Sequence, residues 1–272
     1  MRLRPARSPR GFALIIVLWT LVMLSFVMTH MMAAGRTETR IAANFVANAD
    51  AETQAEGAVV ETIFRVIDGS DSHWDIGGGP YGLRMKQAKA TVTIASESGK
   101  VNPNTASQQM LAALMAAVGA PPSQAAAVSH AMLDWRQSDD NDQTGTARKI
   151  AQYRAARLDY APPGAPFESL DEIQRVLGMT PDLFRRLKPN LSIYQTGDPD
   201  IATALPAVAK ALRTLNLPPQ PPNADVTQIV SIVARVTTDR GGHFLRHAVV
   251  RIDPPQSQTY GILAWDTEAQ NQ

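Results

Sequence analysis

The chain has no cysteine in its 272 residues. That excludes disulfide staples, thiol catalysis and cysteine-ligated zinc. It leaves an oxidising compartment open, because a chain of this length can bury a core without staples. Acidic residues are missing before Glu38, and formal charge is missing from Phe12 to Ala34. Neither Gly nor Pro occurs between Gly35 and Gly57. The net charge is +1, so nothing electrostatic calls for nucleic acid. No nucleophile-elbow motif is present, and Gly77-Gly78-Gly79 lacks the Lys and helix of a phosphate loop. His243 and His247 are four apart in a predicted strand, which separates them by about 13 Å, too far to share a metal. The expectation is a protein that is not an enzyme.

What is present begins with Arg2, Arg4, Arg7 and Arg10, followed at once by Gly11, Phe12 and the uncharged run. At about 1.5 Å per residue that run reaches roughly 34 Å, enough for a bilayer core of about 30 Å. The basic flank belongs on the cytoplasmic side, which places the remainder across the membrane. A cleaved secretory signal has a shorter apolar core and small residues after it, whereas here the Gly precedes the run. The helix does not stop at the membrane. Ile41, Phe45, Ala49, Ala55, Val59, Ile63 and Val66 mark an apolar stripe, and Asp68-Gly69-Ser70 is a plausible stop. A break near Gly35 is the alternative. The amphipathic half needs a partner surface, and a sheet is the natural one.

Beyond it, 69–82 reads as glycine-rich loop and 88–95 as a strand. Asn104 or Thr105 is the expected cap of a helix over 106–118. Further helices are expected over 123–135 with Ser123 as cap, 150–157, 167–177 with Ser169 as cap, and 181–187 opened by Thr180-Pro181. A Pro-rich connector follows. Strands over 226–238, 243–253 and 260–265 close the chain, the first two joined by the turn Asp239-Arg240-Gly241-Gly242.

The basic leader, Gly11-Phe12 and the long apolar helix together resemble the type IV pilin and pseudopilin precursors. The resemblance implies cleavage between Gly11 and Phe12 by a prepilin peptidase and methylation of Phe12. The same residues also fit an uncleaved signal anchor. Three internal stretches narrow the resemblance: Glu97 to Ala106, Asp134-Trp135-Arg136-Gln137-Ser138-Asp139-Asp140, and Ala165 to Ile173 with Val176-Leu177-Gly178-Met179. With the overall layout they are similar to the minor pseudopilin K family of type II secretion, across nearly the whole chain.

That resemblance implies an α+β pseudopilin fold: a long transmembrane helix packed on a small antiparallel sheet, with an inserted all-α, helix-hairpin-helix-like (SAM-like) domain. The expected divisions are leader 1–11, transmembrane half 12–34, amphipathic half 35–68, first sheet part 69–104, insertion 105–196, connector 197–225 and second sheet part 226–272. The implied role is a tip subunit of the pseudopilus, in the inner membrane with a periplasmic C-terminal domain. Implied partners are the I- and J-type minor pseudopilins, the major pseudopilin, the prepilin peptidase, the inner-membrane secretion platform and inner-membrane lipid; no nucleic acid is expected. Ile41, Phe45, Val59 and Ile63 are the expected helix-interface residues.

Most relatives carry Glu at the fifth mature position, where this chain has Ile16. A carboxylate inside the membrane is costly unless paired, and a tip subunit has no neighbour above it to require the pairing. Simple drift in an anchor helix would also leave an apolar residue there.

One stretch raises a metal question. Asp139, Asp140, Asp142, Thr144 and Gly145 match the first half of a calcium loop, but its twelfth position is Ala151 rather than Glu. Some K pseudopilins bind calcium in this region, yet Gln137 and Thr146-Ala147-Arg148 depart from their pattern. A solvated acidic loop is the alternative to calcium. The hairpin helices offer Arg185, Arg186 and Lys188, with Asp171, Glu172 and Asp182 beside them. The rival reading is therefore a membrane-anchored, DNA-uptake-like envelope binding module without pilus assembly.

Overall fold

A computed structural model describes residues 10–138, 143–217, 227–253 and 260–267. Helix α1 runs unbroken from Arg10 to Ile67, 58 residues, so Gly35 interrupts nothing. Its span Phe12–Met31 is long and apolar enough to cross a membrane and buries none of its side chains in the protein. The following half packs on a sheet through one face: Ala47, Ala51, Ala55, Ala58, Val59, Ile63 and Val66 are buried. Four of these seven are alanines. Small side chains let the helix axis approach the sheet closely. Thr62, also buried there, satisfies its hydroxyl on the Ala58 carbonyl at 2.6 Å.

The sheet has five strands in the order β1(Tyr81–Arg84), β2(Ala88–Ser96), β3(Gln228–Thr238), β4(His243–Ile252) and β5(Tyr260–Thr267). Every neighbouring pair is antiparallel. In β2, Ala88, Ala90, Val92 and Ile94 point to α1 and alternate with exposed Lys89, Thr91, Thr93 and Ala95. That period of two is why the strand forms where it does. β1 lies where loop was expected. Tyr81 and Leu83 reach the core on one side, and Gly82 and Arg84 face out. Trp74 stacks on Tyr81 with ring centroids 4.4 Å apart, so this glycine-rich stretch is held by aromatic packing.

β2 and β3 are hydrogen-bonded neighbours, yet a helical body stands between them in sequence. It comprises α2(Gln108–Ala117), α3(Pro122–Arg136), α4(Gln143–Ala155), a 3-10 turn over Leu170–Arg175, α5(Pro181–Leu187) and α6(Pro206–Thr214). Several expectations are corrected here. The cap of α2 is Ser107, whose side chain accepts from the Met110 amide, not Asn104 or Thr105. α3 starts at Pro122, so the cap position falls on Pro121, which has no side-chain acceptor, and Ser123 lies inside the first turn. α4 begins at Gln143, seven residues ahead of the expected 150–157 helix. Ser169 precedes a short 3-10 turn and makes no capping bond. Thr180 caps α5 as its sequence position suggests.

The larger correction is α6. It lies inside the stretch expected to be a connector, and Val208, Ala211 and Leu212 are buried in the same core as Leu111, Leu114 and Met132. The helical body therefore extends past residue 196.

The segment that leaves β2 is clasped to the one that leads into α6. Val101 and Leu191 form a parallel bridge, with Val101 N donating to Asn190 O at 2.9 Å and Ser192 N to Val101 O at 3.0 Å. Gln195 donates to the Ser98 carbonyl at 3.1 Å, and the Ser98 and Thr203 hydroxyls meet at 2.9 Å. Glu97, buried, is paired with Lys100 at 2.6 Å. A side chain at Gly99 would collide with the Thr203 backbone.

Candidate functional site

The Gly11–Phe12 bond lies in the first turn of α1, and the side chains of Phe12 and Ile16 are exposed. The four expected interface residues divide. Val59 and Ile63 are buried against the sheet, while Ile41 and Phe45 stand in the open, Phe45 at 72 % exposure. At about 100° per residue Ile41 aligns with Val59 and Phe45 with Ile63, so the expected stripe is one line, exposed where it precedes Ala47, the first buried position among the described residues, and covered where it meets the sheet. A second apolar side turns away from the sheet: Val46, Val60 and Phe64, the last 61 % exposed. These three fall within about 40° of one another, roughly opposite the buried alanines. Sequence reading missed Val60 and Phe64 because Val59 and Ile63, one residue before each, completed the stripe. The (i, i+4) repeat of Val60 and Phe64 was the available sign.

In the helical body the three stretches that carried the resemblance converge. Asn104 grips Phe167 in both directions: Phe167 N donates to Asn104 Oδ1 at 2.7 Å, and Asn104 Nδ2 donates to Phe167 O at 3.0 Å. The Phe167 ring lies parallel to Trp135 with centroids 5.9 Å apart. Tyr153 and Tyr160 complete the aromatic cluster. Arg136 donates to the Pro103 and Ala106 carbonyls at 2.5 and 2.7 Å, and burial lowers its pKa from the ordinary arginine value. Buried Tyr153 accepts from the Leu177 amide at 3.1 Å, and its pKa is pushed up to about 12, chiefly by desolvation. Each of these side chains joins segments far apart in sequence. They are a packing knot. The Trp135 indole nitrogen is buried without a partner, beside a cleft of about 380 Å³ that Tyr160, Pro163 and Pro166 also line.

Asp139, Asp140 and Asp142 lie outside the described residues. Thr144 sits in the first turn of α4. The Gln137 carbonyl accepts from the buried Lys149 ammonium at 3.1 Å. Among the described residues no cluster of three His, Asp or Glu is placed to hold a metal. The described part of this corner contributes a cation, Lys149.

The hairpin cations are engaged. Arg185 and Arg186 pair with Asp182 at 2.5 and 2.9 Å, and Lys188 pairs with Asp171 at 2.9 Å. Arg186 also donates to the Val118 carbonyl, closing the C-terminus of α2. A phosphate would compete with carboxylates already in place.

Residues 88–196 match the family described as type II secretion system (T2SS), protein K. The fold matches a chain in the crystal structure of the GspK-GspI-GspJ complex from the enterotoxigenic Escherichia coli type 2 secretion system. The TM-score is 0.58 at 18 % identity, covering 86 % of this chain and 99 % of that one, a likeness of fold. No curated protein matches the chain by sequence. The matched stretch takes in β2 and the helical body through α5 and the Val101–Leu191 bridge. Residues 88–196 are thus similar to the protein K family of the type II secretion system, within a fold like that of a chain solved in a GspK-GspI-GspJ complex.

Proposed function

We propose that this protein is a minor pseudopilin, the tip subunit of the pseudopilus, joined to I- and J-type partners through the outward apolar side of α1. The observation that carries this reading is Val46, Val60 and Phe64, exposed on the soluble half of a helix whose opposite side is already filled by the sheet. Large apolar side chains aligned on an unoccupied helix face fit a second helix, in the manner of helix-in-groove packing. The fold likeness is to a chain solved in a GspK-GspI-GspJ complex, which supports helices of that kind as the partners. The major pseudopilin follows below them in the fibre. The helical body, added to an otherwise small sheet domain, is bulky enough to obstruct another subunit above.

In this reading a prepilin peptidase removes the leader at Gly11–Phe12, Phe12 becomes the methylated N-terminus, and α1 anchors the chain in the inner membrane with the folded domain in the periplasm. Ile16 removes the buried carboxylate that a subunit with a neighbour above would pair. The N-terminal sequence and intact mass of the protein from native membranes test it. A chain starting at methylated Phe12, dependent on the peptidase, is the expected result. An intact leader, or cleavage after Ala33 or Ala34, overturns it.

A further inference from the structure

The sheet ends, on one side, in a polar row that starts with two cations. The register sets Arg84 opposite Lys89, Lys89 opposite Thr237, and Thr237 opposite His243, so the row crosses β1 to β4. All four residues are exposed. Thr237 and His243 are hydrogen-bonded at 3.1 Å. Just beyond the row, two turns are tied together by Asp239 N donating to Gln87 O at 3.0 Å. They add exposed Lys86 and Arg240, and their one acid is Asp239. Among the described residues, Arg84, Lys86, Lys89 and Arg240 take part in none of the ion pairs. Like charges directly opposed across an antiparallel pair destabilise it, so Arg84 and Lys89 leave a repulsion that an anion would relieve.

The row also has a definite direction. Gly242 sits against the Ala47 carbonyl, and Arg246 further up β4 reaches Glu52 and Glu56. This end of the sheet is therefore the one nearest the membrane-spanning half of α1. The helix from Ala34 to Ala47 rises about 20 Å. Headgroups fill about 5–7 Å of that, and an ordinary helix tilt of about 20° lowers one side of the domain. The arm of Arg240, on the turn beside Gly242, then stands within roughly one screening length, about 8 Å, of the headgroup plane, while Lys86, next to the Met85 that packs on Gly57, stands further up.

We infer that this rim docks on anionic phospholipid headgroups while the subunit stands in the bilayer, orienting its folded domain before assembly. The inference rests on the reading of α1 as a membrane anchor. A shallow array of arms without a pocket fits a fluid headgroup layer better than a single bound ion. Attraction of basic segments to anionic leaflets is the general physics involved.

The chain has no native cysteine, so Gln87→Cys carries a single label. The full-length protein is reconstituted in phosphatidylcholine vesicles with and without phosphatidylglycerol, and energy transfer from the label to a headgroup dye is read. Transfer is expected to rise with phosphatidylglycerol, and to fall back in about 1 M salt, where the screening length is about 3 Å. The K86E/R240E double variant, matched to the parent in circular dichroism, should lose the rise. Equal transfer in both vesicles, or a rise that survives salt or the double variant, overturns the inference. A label at Leu24→Cys, quenched by lipid-borne nitroxide, checks the anchor. A quenched Leu24 label with an unresponsive Gln87 label defeats the docking alone. An unquenched Leu24 label defeats the anchor reading and the docking with it.

Discussion

Arg246 of β4 donates one guanidinium nitrogen to both Glu52 and Glu56 of α1, at 2.7 and 3.0 Å. The other terminal nitrogen reaches Thr267 of β5 at 3.0 Å, and the guanidinium lies over Phe244 and Trp265. One buried side chain thus ties the helix to two strands. Arg246→Met should cost about 1–3 kcal/mol, read as a lowered denaturation midpoint. The figure is below that for breaking a fully buried pair, because both carboxylates stay half in water. Glu52→Gln alone should cost well under 1 kcal/mol.

Asn104→Ala removes both bonds to the Phe167 backbone and strands a buried amide and carbonyl. The expected loss is about 1–3 kcal/mol, confined to the helical body. Hydrogen exchange should quicken at Phe167 and its neighbours while the β2–β3 ladder keeps its protection. Equal loosening of the sheet would contradict the separation of the two cores.

Tyr153 gives the helical body an alkaline limit. Its folded pKa of about 12 lies above the ordinary value of 10.0, so folding favours the protonated phenol. That stabilisation is complete below about pH 10 and disappears as pH rises through about 12. Tyr153→Phe should flatten the fall in stability over that window. At neutral pH it should cost about 1 kcal/mol, since the Leu177 amide loses its acceptor. An unchanged slope in the variant would assign the alkaline limit elsewhere.

α6 determines where the helical body can be cut. Leu212→Ala should cost about 2–5 kcal/mol, the usual range for a buried leucine. A fragment over 97–217 should unfold cooperatively, whereas one over 105–196 should bind hydrophobic dye and melt without a transition. Cooperative melting of the shorter fragment would make α6 dispensable.

Val60→Asp and Phe64→Asp alter exposed positions, so stability should stay within about 0.5 kcal/mol. Co-purification with the I- and J-type partners should nevertheless fall sharply. Retained co-purification would remove the outward face of α1 from the assembly.

Much of this arrangement was legible in the sequence, and for physical reasons. Absence of Gly and Pro after Gly35 guarantees the helical run, the alternation in β2 marks its two faces, and Asp239 to Gly242 announces the hairpin. The buried side of α1 was less legible because Ala47, Ala51, Ala55 and Ala58 carry it. Alanine contributes little apolar contrast, so Ile41, Phe45, Val59 and Ile63, at one edge of the buried side, stand for the whole of it. Pro206 hid α6: it reads as connector composition, although proline suits a helix's first turn. β1 was hidden by glycine, its stability coming from Trp74 and Tyr81 rather than from strand propensity. The knot of Asn104, Trp135 and Phe167 is made of contacts more than thirty residues apart, which no local pattern encodes.

Because β2 and β3 adjoin, the helical body leaves and rejoins the sheet at the end remote from Gly242. Tension applied between that body and the membrane would be shared by both strands, because the Glu97 amide at the end of β2 donates to the Ile229 carbonyl of β3. The strands would then have to slide lengthwise past β1 and β4, loading many hydrogen bonds at once instead of opening them in turn. The insertion is attached as a cargo is slung from two adjacent cables, in the geometry that resists extension rather than the one that unzips.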